Sequence, residues 1–130
     1  MRNTINKLAL PALFLLGLIS CKNEKDYNCY GLRVPDFKNP MVDSLVRAKD
    51  AAMCAVVEKL EKGEEPSFEE GLEYGQNGMR HMTIFEILDK DGDQKEIDKY
   101  GDYNLALGEK SSEFNKKMQE RMKEKQQKAK

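Results

Sequence analysis

The sequence predicts an all-α protein, a small domain of three or four helices behind a flexible tether. Apolar residues recur at steps of three and four through much of residues 39–125, which places them on one side of a helix. Residues that commonly begin and end helices separate these segments. The chain has no tryptophan and few large aliphatic side chains, so we expect a small core that needs a covalent cross-link.

The first predicted helix covers residues 39–62. Asn39 is a preferred cap, Pro40 suits the first helical position, and Gly63 stands where a helix commonly ends. One side of this helix is apolar, and its members are Val42, Leu45, Val46, Ala52, Met53, Val56 and Leu60.

The second predicted helix begins at Ser67, because Ser67 and Glu70 have the spacing of a capping box. Glycines inside a helix cost about 1 kcal/mol each relative to alanine, so we expect a break at residues 76–78 and close packing of Gly71 and Gly75 against the first helix. The apolar side consists of Phe68, Leu72, Met79, Met82, Ile84, Phe85 and Leu88.

The remaining sequence predicts less structure. Residues 89–108 are polar and contain three glycines, and a short helical turn is expected around Ile97, Tyr100 and Tyr103. Ser111 or Ser112 then caps a final helix that ends near Lys125, and residues 126–130 form a basic tail that frays. The apolar stripe of this helix is thin, with Phe114, Met118 and Met122.

The first 20 residues have the composition of an export signal. Two basic residues precede a short apolar run, residues 8–19, which ends in Leu18-Ile19-Ser20-Cys21. This segment resembles the signal peptide of bacterial lipoproteins, with a small residue before the cleavage site and cysteine after it. Residues 8–20 would span about 20 Å as a helix, against about 30 Å for the hydrocarbon core of a membrane, so the segment is too short to cross.

The resemblance implies cleavage before Cys21, a diacylglycerol on its thiol and an acyl chain on its amino group. Residues 21–38 would then form a lipidated tether in front of the helical domain, residues 39–125. Two or three acyl chains anchor a protein stably to a membrane. Lys22, rather than aspartate, follows Cys21, which resembles the outer-membrane class; the mixed charges of residues 22–26 also loosely resemble surface-export signals.

Once Cys21 carries lipid, Cys29 and Cys54 are the remaining cysteines. An even pair in an oxidising compartment favours a disulfide, and closing a loop of this length is worth roughly 3 kcal/mol. Free buried thiols remain an alternative, as does a redox role, although redox pairs usually have a closer spacing than this one.

Charge is unevenly distributed. Residues 22–108 carry a net charge of −7, whereas residues 109–130 carry +4. The basic end predicts contact with an anionic surface such as lipid, lipopolysaccharide or peptidoglycan, and a solvated helix is the alternative. Nucleic acid is not expected as a partner of an exported acidic protein. The predicted contacts are Lys116, Lys117, Arg121 and Lys123.

One acidic motif resembles the opening of an EF-hand loop. Asp89, Asp91 and Asp93 alternate as the first three ligands of such a loop do. The turn glycine and the final bidentate glutamate of the loop are replaced by Gln94 and Tyr100. The motif predicts a weak Ca²⁺ site, with a solvated acidic turn as the alternative.

The sequence gives no pattern of catalytic residues. His81 is the single histidine, and neither a nucleophile elbow nor a phosphate-binding glycine loop is present. We therefore expect no enzymatic activity and a helix-surface or packing role for His81. The predicted function is a non-enzymatic binding or structural role at the bacterial envelope, with an envelope or host protein as partner. A weakly Ca²⁺-binding or Ca²⁺-stabilised lipoprotein is the alternative.

Overall fold

The computed structural model describes residues 26–129, which form a small all-α domain, as predicted. Cys21 and the predicted leader lie outside the described residues. Within the described part of the chain, no helix is both long enough and apolar enough to cross a membrane. The helices are α1 (Pro40–Glu61), α2 (Phe68–Gly75), α3 (Asn77–Asp91) and α4 (Gln94–Lys128).

Helix α1 has the ends that the sequence predicts. The side chain of Asn39 accepts hydrogen bonds from the backbone N–H groups of Met41 and Val42, and Pro40 follows it at the start of the helix. Gly63 has φ of +75°, a left-handed conformation that suits glycine and ends the helix. The buried positions of this helix are Val42, Val46, Asp50, Ala52 and Val57.

The predicted break between α2 and α3 is confirmed, and the capping box of Ser67 and Glu70 forms at the start of α2. The expectation that Gly71 and Gly75 pack closely against the first helix is wrong. A Cβ atom added to either glycine would have no neighbour within 4 Å, because both residues lie on the exposed side of α2.

Helix α4 is longer than the sequence predicts. It begins at Gln94, after the cap Asp93, and continues for 35 residues without a second cap at Ser111 or Ser112. The short turn expected around Tyr100 and the end expected near Lys125 are therefore corrected. Helical spacing buries four apolar side chains along this length, which outweighs the cost of the internal glycines; these are Tyr100, Tyr103, Leu107 and Phe114.

The predicted tether also needs correction. Its described part, residues 26–38, packs on the helices instead of spacing them from a membrane. Val34 and Phe37 are buried, and the ring of Phe37 meets that of Tyr100 edge to face at 6.0 Å. The backbone N–H of Lys38 donates to the Glu96 carboxylate at 2.7 Å. Six of these 13 residues are apolar, a sign of packing that the prediction of a tether did not take into account.

A disulfide joins Cys29 to Cys54 of α1, with a Cα–Cα distance of 5.5 Å, in agreement with the sequence-based pairing. It fixes the N-terminal segment to the helices. The core lies between α1, α3, the first half of α4 and this segment, and its buried members are Val34, Phe37, Val42, Val46, Ile84, Leu88, Tyr100, Tyr103 and Leu107.

Candidate functional site

Four large apolar side chains of α2 and α3 point to solvent. Phe68 is 82% exposed, Leu72 53%, Met79 73% and Met82 65%. Side chains of this size have roughly 150–250 Å² of surface, so these four expose on the order of 500 Å², as much as the largest apolar patches of typical monomers. We call these residues, together with Gly71, Gly75 and Gly78 between them, the outer face.

The members of the outer face follow one side of the helices. Phe68, Leu72, Gly75, Met79 and Met82 are separated by steps of four, three, four and three residues. At the junction, the Gln76 N–H donates to the Leu72 carbonyl at 3.1 Å, and the Arg80 N–H donates to the Gln76 carbonyl at 3.0 Å. These helical hydrogen bonds carry the spacing across the junction.

Two polar side chains hold the junction in place. The Arg80 guanidinium donates to the Glu73 carbonyl at 2.8 Å and to the Glu73 carboxylate at 2.6 Å. The Asn77 amide donates to the Lys49 carbonyl of α1 at 2.9 Å. These contacts fix the helices of the outer face to each other and to α1, and they leave its apolar side chains in solvent.

The three glycines make the middle of the outer face flat. A Cβ at Gly71, Gly75 or Gly78 would meet no heavy atom within 4 Å, so none of them is needed for packing inside the molecule. Each costs helix stability relative to alanine. Small residues on a helix surface allow another backbone to approach closely.

The surroundings of the outer face are acidic. Residues 64–91 carry eight acidic and two basic side chains, a net charge of −6 with His81 neutral. Hydrogen bonds from Ser67 lower the pKa of Glu70. Of the two basic residues, Arg80 is already paired with Glu73. The outer face thus combines apolar side chains with a negative border.

A separate cluster of polar groups lies behind the outer face. Lys49 donates to the Asn104 side chain at 3.1 Å, and the Tyr100 hydroxyl lies 2.7 Å from His81 Nδ1. Burial lowers the pKa values of Lys49 and His81, and the Lys49 ammonium lowers that of His81 further. Burial raises the pKa of Tyr100. His81 is thus a neutral packing residue that links α3 to α4.

A second cluster connects α1, α4 and the N-terminal segment. The Tyr103 hydroxyl donates to the Asp50 carboxylate, and the Asn28 amide donates to the Tyr103 hydroxyl at 3.0 Å. Burial raises the pKa values of Asp50 and Tyr103. Among the described residues, every buried side-chain nitrogen and oxygen has a hydrogen-bond partner. This arrangement is what a structural network requires.

The acidic motif forms helix ends instead of a loop. Asp89 is within α3, Asp91 is its last residue and accepts from the Asn39 amide at 3.0 Å, and Gly92 ends the helix with φ of +65°. Asp93 caps α4. In residues 26–129, no three acidic, histidine or cysteine side chains are grouped so that they could hold a metal ion. The three carboxylates therefore lie at the adjoining ends of α3 and α4.

The four basic residues predicted to contact an anionic surface lie on the exposed end of α4 but do not share one side. At about 100° per residue, Lys116 and Lys123 lie on one side, and Lys117 and Arg121 on another. Arg121 donates to the Glu61 carbonyl at the end of α1, at 3.1 Å. It borders a groove of about 700 Å³ whose apolar lining is Leu60, Phe114, Met118 and Met122.

No protein-family model, curated protein or solved structure matches this chain. The function of the outer face is therefore inferred from its residues alone. Sequence reasoning missed the outer face because it assigned Phe68, Leu72, Met79 and Met82 to the same apolar side as Ile84 and Leu88. The missed signal was angular: Met82 and Ile84 are separated by about 200° around a helix, so one helix side cannot hold both.

Proposed function

We propose that this protein is a lipid-anchored component of the bacterial envelope that binds another protein through the outer face, without catalysing a reaction. The observation that carries the proposal is the exposure of four large apolar side chains, two on α2, which has no buried residue, and two on α3, whose inner side contributes Ile84 and Leu88 to the core. An apolar patch of this size is often functional.

The anchor is supported by the leader, which resembles that of bacterial lipoproteins up to Cys21. The lipid on Cys21 would hold the protein on a membrane, with the outer membrane favoured by Lys22. The packed segment that begins near residue 26 leaves a short connection between lipid and domain. The binding surface would therefore operate close to the membrane surface, where an envelope protein or a host protein is the expected partner.

The internal polar clusters favour binding over catalysis. Their hydrogen bonds are made among side chains of the domain, and the phenol groups of Tyr100 and Tyr103 are weaker acids than usual because burial raises their pKa values. In both clusters the hydroxyl next to a base belongs to a buried phenol that is bonded within the domain, so neither cluster presents a nucleophile to a substrate. The outer face has the opposite character, since its groups make their contacts with solvent.

Fatty-acid labelling tests the anchor. Cells that produce the full chain would be fed an alkyne fatty acid, and the tagged lipid would be detected on the purified protein. The wild type is expected to carry label and to sediment with membranes, whereas Cys21→Ser is expected to lose both properties. External protease on intact cells, with a periplasmic protein as integrity control, then distinguishes a surface location from an internal one.

A pair of matched variants tests the binding role. Met79 and Met41 are both exposed, by 73% and 59%, and both lie in the first turn of a helix. The mild-detergent extract of wild-type cells is expected to contain the protein in a complex larger than its single mature chain in the same detergent. Met79→Asp should release it and Met41→Asp should not. A complex that survives Met79→Asp would contradict the proposal.

A further inference from the structure

We infer that the partner of the outer face is an amphipathic helix of another protein, with lysine or arginine beside its apolar side. The inference rests on the proposed function and adds the chemistry of the partner. It follows from three properties of the outer face: the spacing of its apolar residues, its flat centre and its negative border.

The spacing fits a helix. Steps of four and three residues between Phe68, Leu72, Gly75, Met79 and Met82 are those of a coiled-coil seam, which receives the side chains of a second helix. The 15 residues from Phe68 to Met82 span roughly 22 Å at about 1.5 Å per residue. That length accommodates about two heptads of a partner helix, a recognised mode of peptide binding.

The flat centre permits close packing. Glycine at positions 71, 75 and 78 leaves room for the partner's side chains between Phe68 and Leu72 at one end and Met79 and Met82 at the other. Helix axes approach to about 8–10 Å depending on the side chains at the contact. Methionine at one end adds an adaptable side chain that fits partners of varied shape.

The charge selects a basic partner. The net charge of −6 on residues 64–91 would repel a second copy of the same face, because both helices would bring carboxylates together. A helix with lysine or arginine beside its apolar side would instead bring opposite charges toward the acidic side chains of α2 and α3. This attraction is partly screened by salt, with a Debye length of about 10 Å at 0.1 M.

The apolar stripe at the basic end of this chain's own α4 is partly in use within the domain. Residues 109–130 carry a net charge of +4, but Phe114 of their apolar stripe is buried, with its ring 6.1 Å from that of Tyr30. Arg121 is bonded to the Glu61 carbonyl. Docking on a second copy would break these contacts, so the structure favours a helix from another protein.

Two synthetic peptides test the inference directly. Both would be 21-residue amphipathic helices with the same leucine and alanine apolar side, and their flanking positions would carry lysine in one and glutamate in the other. Binding to the full chain in phosphatidylcholine nanodiscs would be measured by fluorescence anisotropy, with empty nanodiscs as blank. The lysine peptide is expected to bind at least about tenfold more tightly and to weaken between about 50 and 500 mM NaCl.

Glycine variants separate binding from folding. Gly71→Ala and Gly75→Ala add a methyl group in open space, so each should raise Tm by about 4 °C. Each should nevertheless weaken binding of the lysine peptide at least about fivefold. Gly101→Ala and Gly108→Ala of α4 are the controls, since an added Cβ there is also unopposed. The controls should raise Tm in the same way and leave peptide binding unchanged.

Three results would overturn the inference: equal affinity for the two peptides, no binding of either, or equal weakening by the outer-face and α4 glycine variants. A full-length complex that Met79→Asp releases, together with no preference for the lysine peptide, would keep the proposed function and reject the basic helix. A complex that consists of two copies of this chain would likewise reject a helix from another protein.

Discussion

The two sides of α3 differ in exposure far more than in composition. On the inner side, Ile84 is fully buried and Leu88 is 2% exposed, whereas on the outer side Met79 and Met82 are 73% and 65% exposed. Both sides are apolar, but only the inner one contributes to the core. The hydrophobic content of a helix therefore does not by itself identify its buried side. The second apolar side of α3 is available to a partner.

The largest expected effect on stability comes from replacing one residue on each side of α3 by alanine. Ile84→Ala should lower the free energy of unfolding by about 3–4 kcal/mol, because it leaves a cavity in the core. Met82→Ala, only two residues away, should change it by less than about 0.5 kcal/mol. Urea titrations monitored by circular dichroism measure both. Similar losses for the two variants would remove the distinction between the inner and outer sides.

The disulfide should have the next largest effect. Cys29→Ala with Cys54→Ala opens a cross-link over 25 residues and should cost roughly 3 kcal/mol. Each single variant breaks the same bond and should cost nearly as much as the pair. Unfolding under oxidising conditions is the measurement. A loss below about 1 kcal/mol for the pair would show that residues 26–38 need no covalent attachment to stay packed.

Glycines at helix ends and on the outer face should respond with opposite signs. Gly92 has φ of +65° at the end of α3, so Gly92→Ala should destabilise the protein by about 1 kcal/mol. Gly71 lies inside α2 with a right-handed backbone, and Gly71→Ala should stabilise it by about 0.5–1 kcal/mol. Thermal unfolding of the two variants measures this. Destabilisation by Gly71→Ala would indicate that this glycine is needed for the fold.

The smallest predicted effect is a change in pH dependence. Burial lowers the pKa of His81 below 6.5 in the folded state, so the unfolded state binds more protons below that pH. The contribution of His81 to stability is therefore complete above pH 6.5 and is lost as pH falls. The difference in unfolding free energy between wild type and His81→Asn should shrink from about pH 7.5 to 5.5. A constant difference would contradict a buried neutral histidine.

Local signals in the sequence predicted much of the helical framework. Asn39, Pro40 and Gly63 gave the ends of α1, and Ser67 with Glu70 gave the start of α2, because caps depend on residues close in sequence. The disulfide between Cys29 and Cys54 was also predicted from the sequence. These features require no knowledge of how the helices pack.

Features that depend on tertiary packing could not be predicted in the same way. Gly101 and Gly108 argued against a continuous α4, but burial of Tyr103 and Leu107 on α1 and α3 stabilises it. Residues 26–38 contain a glycine and a proline that argue against a helix, and their packing depends on Val34 and Phe37 entering the core. The angle between Met82 and Ile84 shows in the sequence that α3 has two apolar sides, but which of the two is buried depends on tertiary packing.

Site-specific photocrosslinking in living cells tests directly whether another protein binds the outer face. A photoreactive phenylalanine would replace either Phe68 of the outer face, 82% exposed, or Tyr27 of the N-terminal segment, 52% exposed. Both replacements are aromatic for aromatic at exposed positions. If the outer face binds another protein, position 68 should give a discrete protein adduct and position 27 should give none. An adduct from position 27 alone, or equal adducts from both, would contradict it.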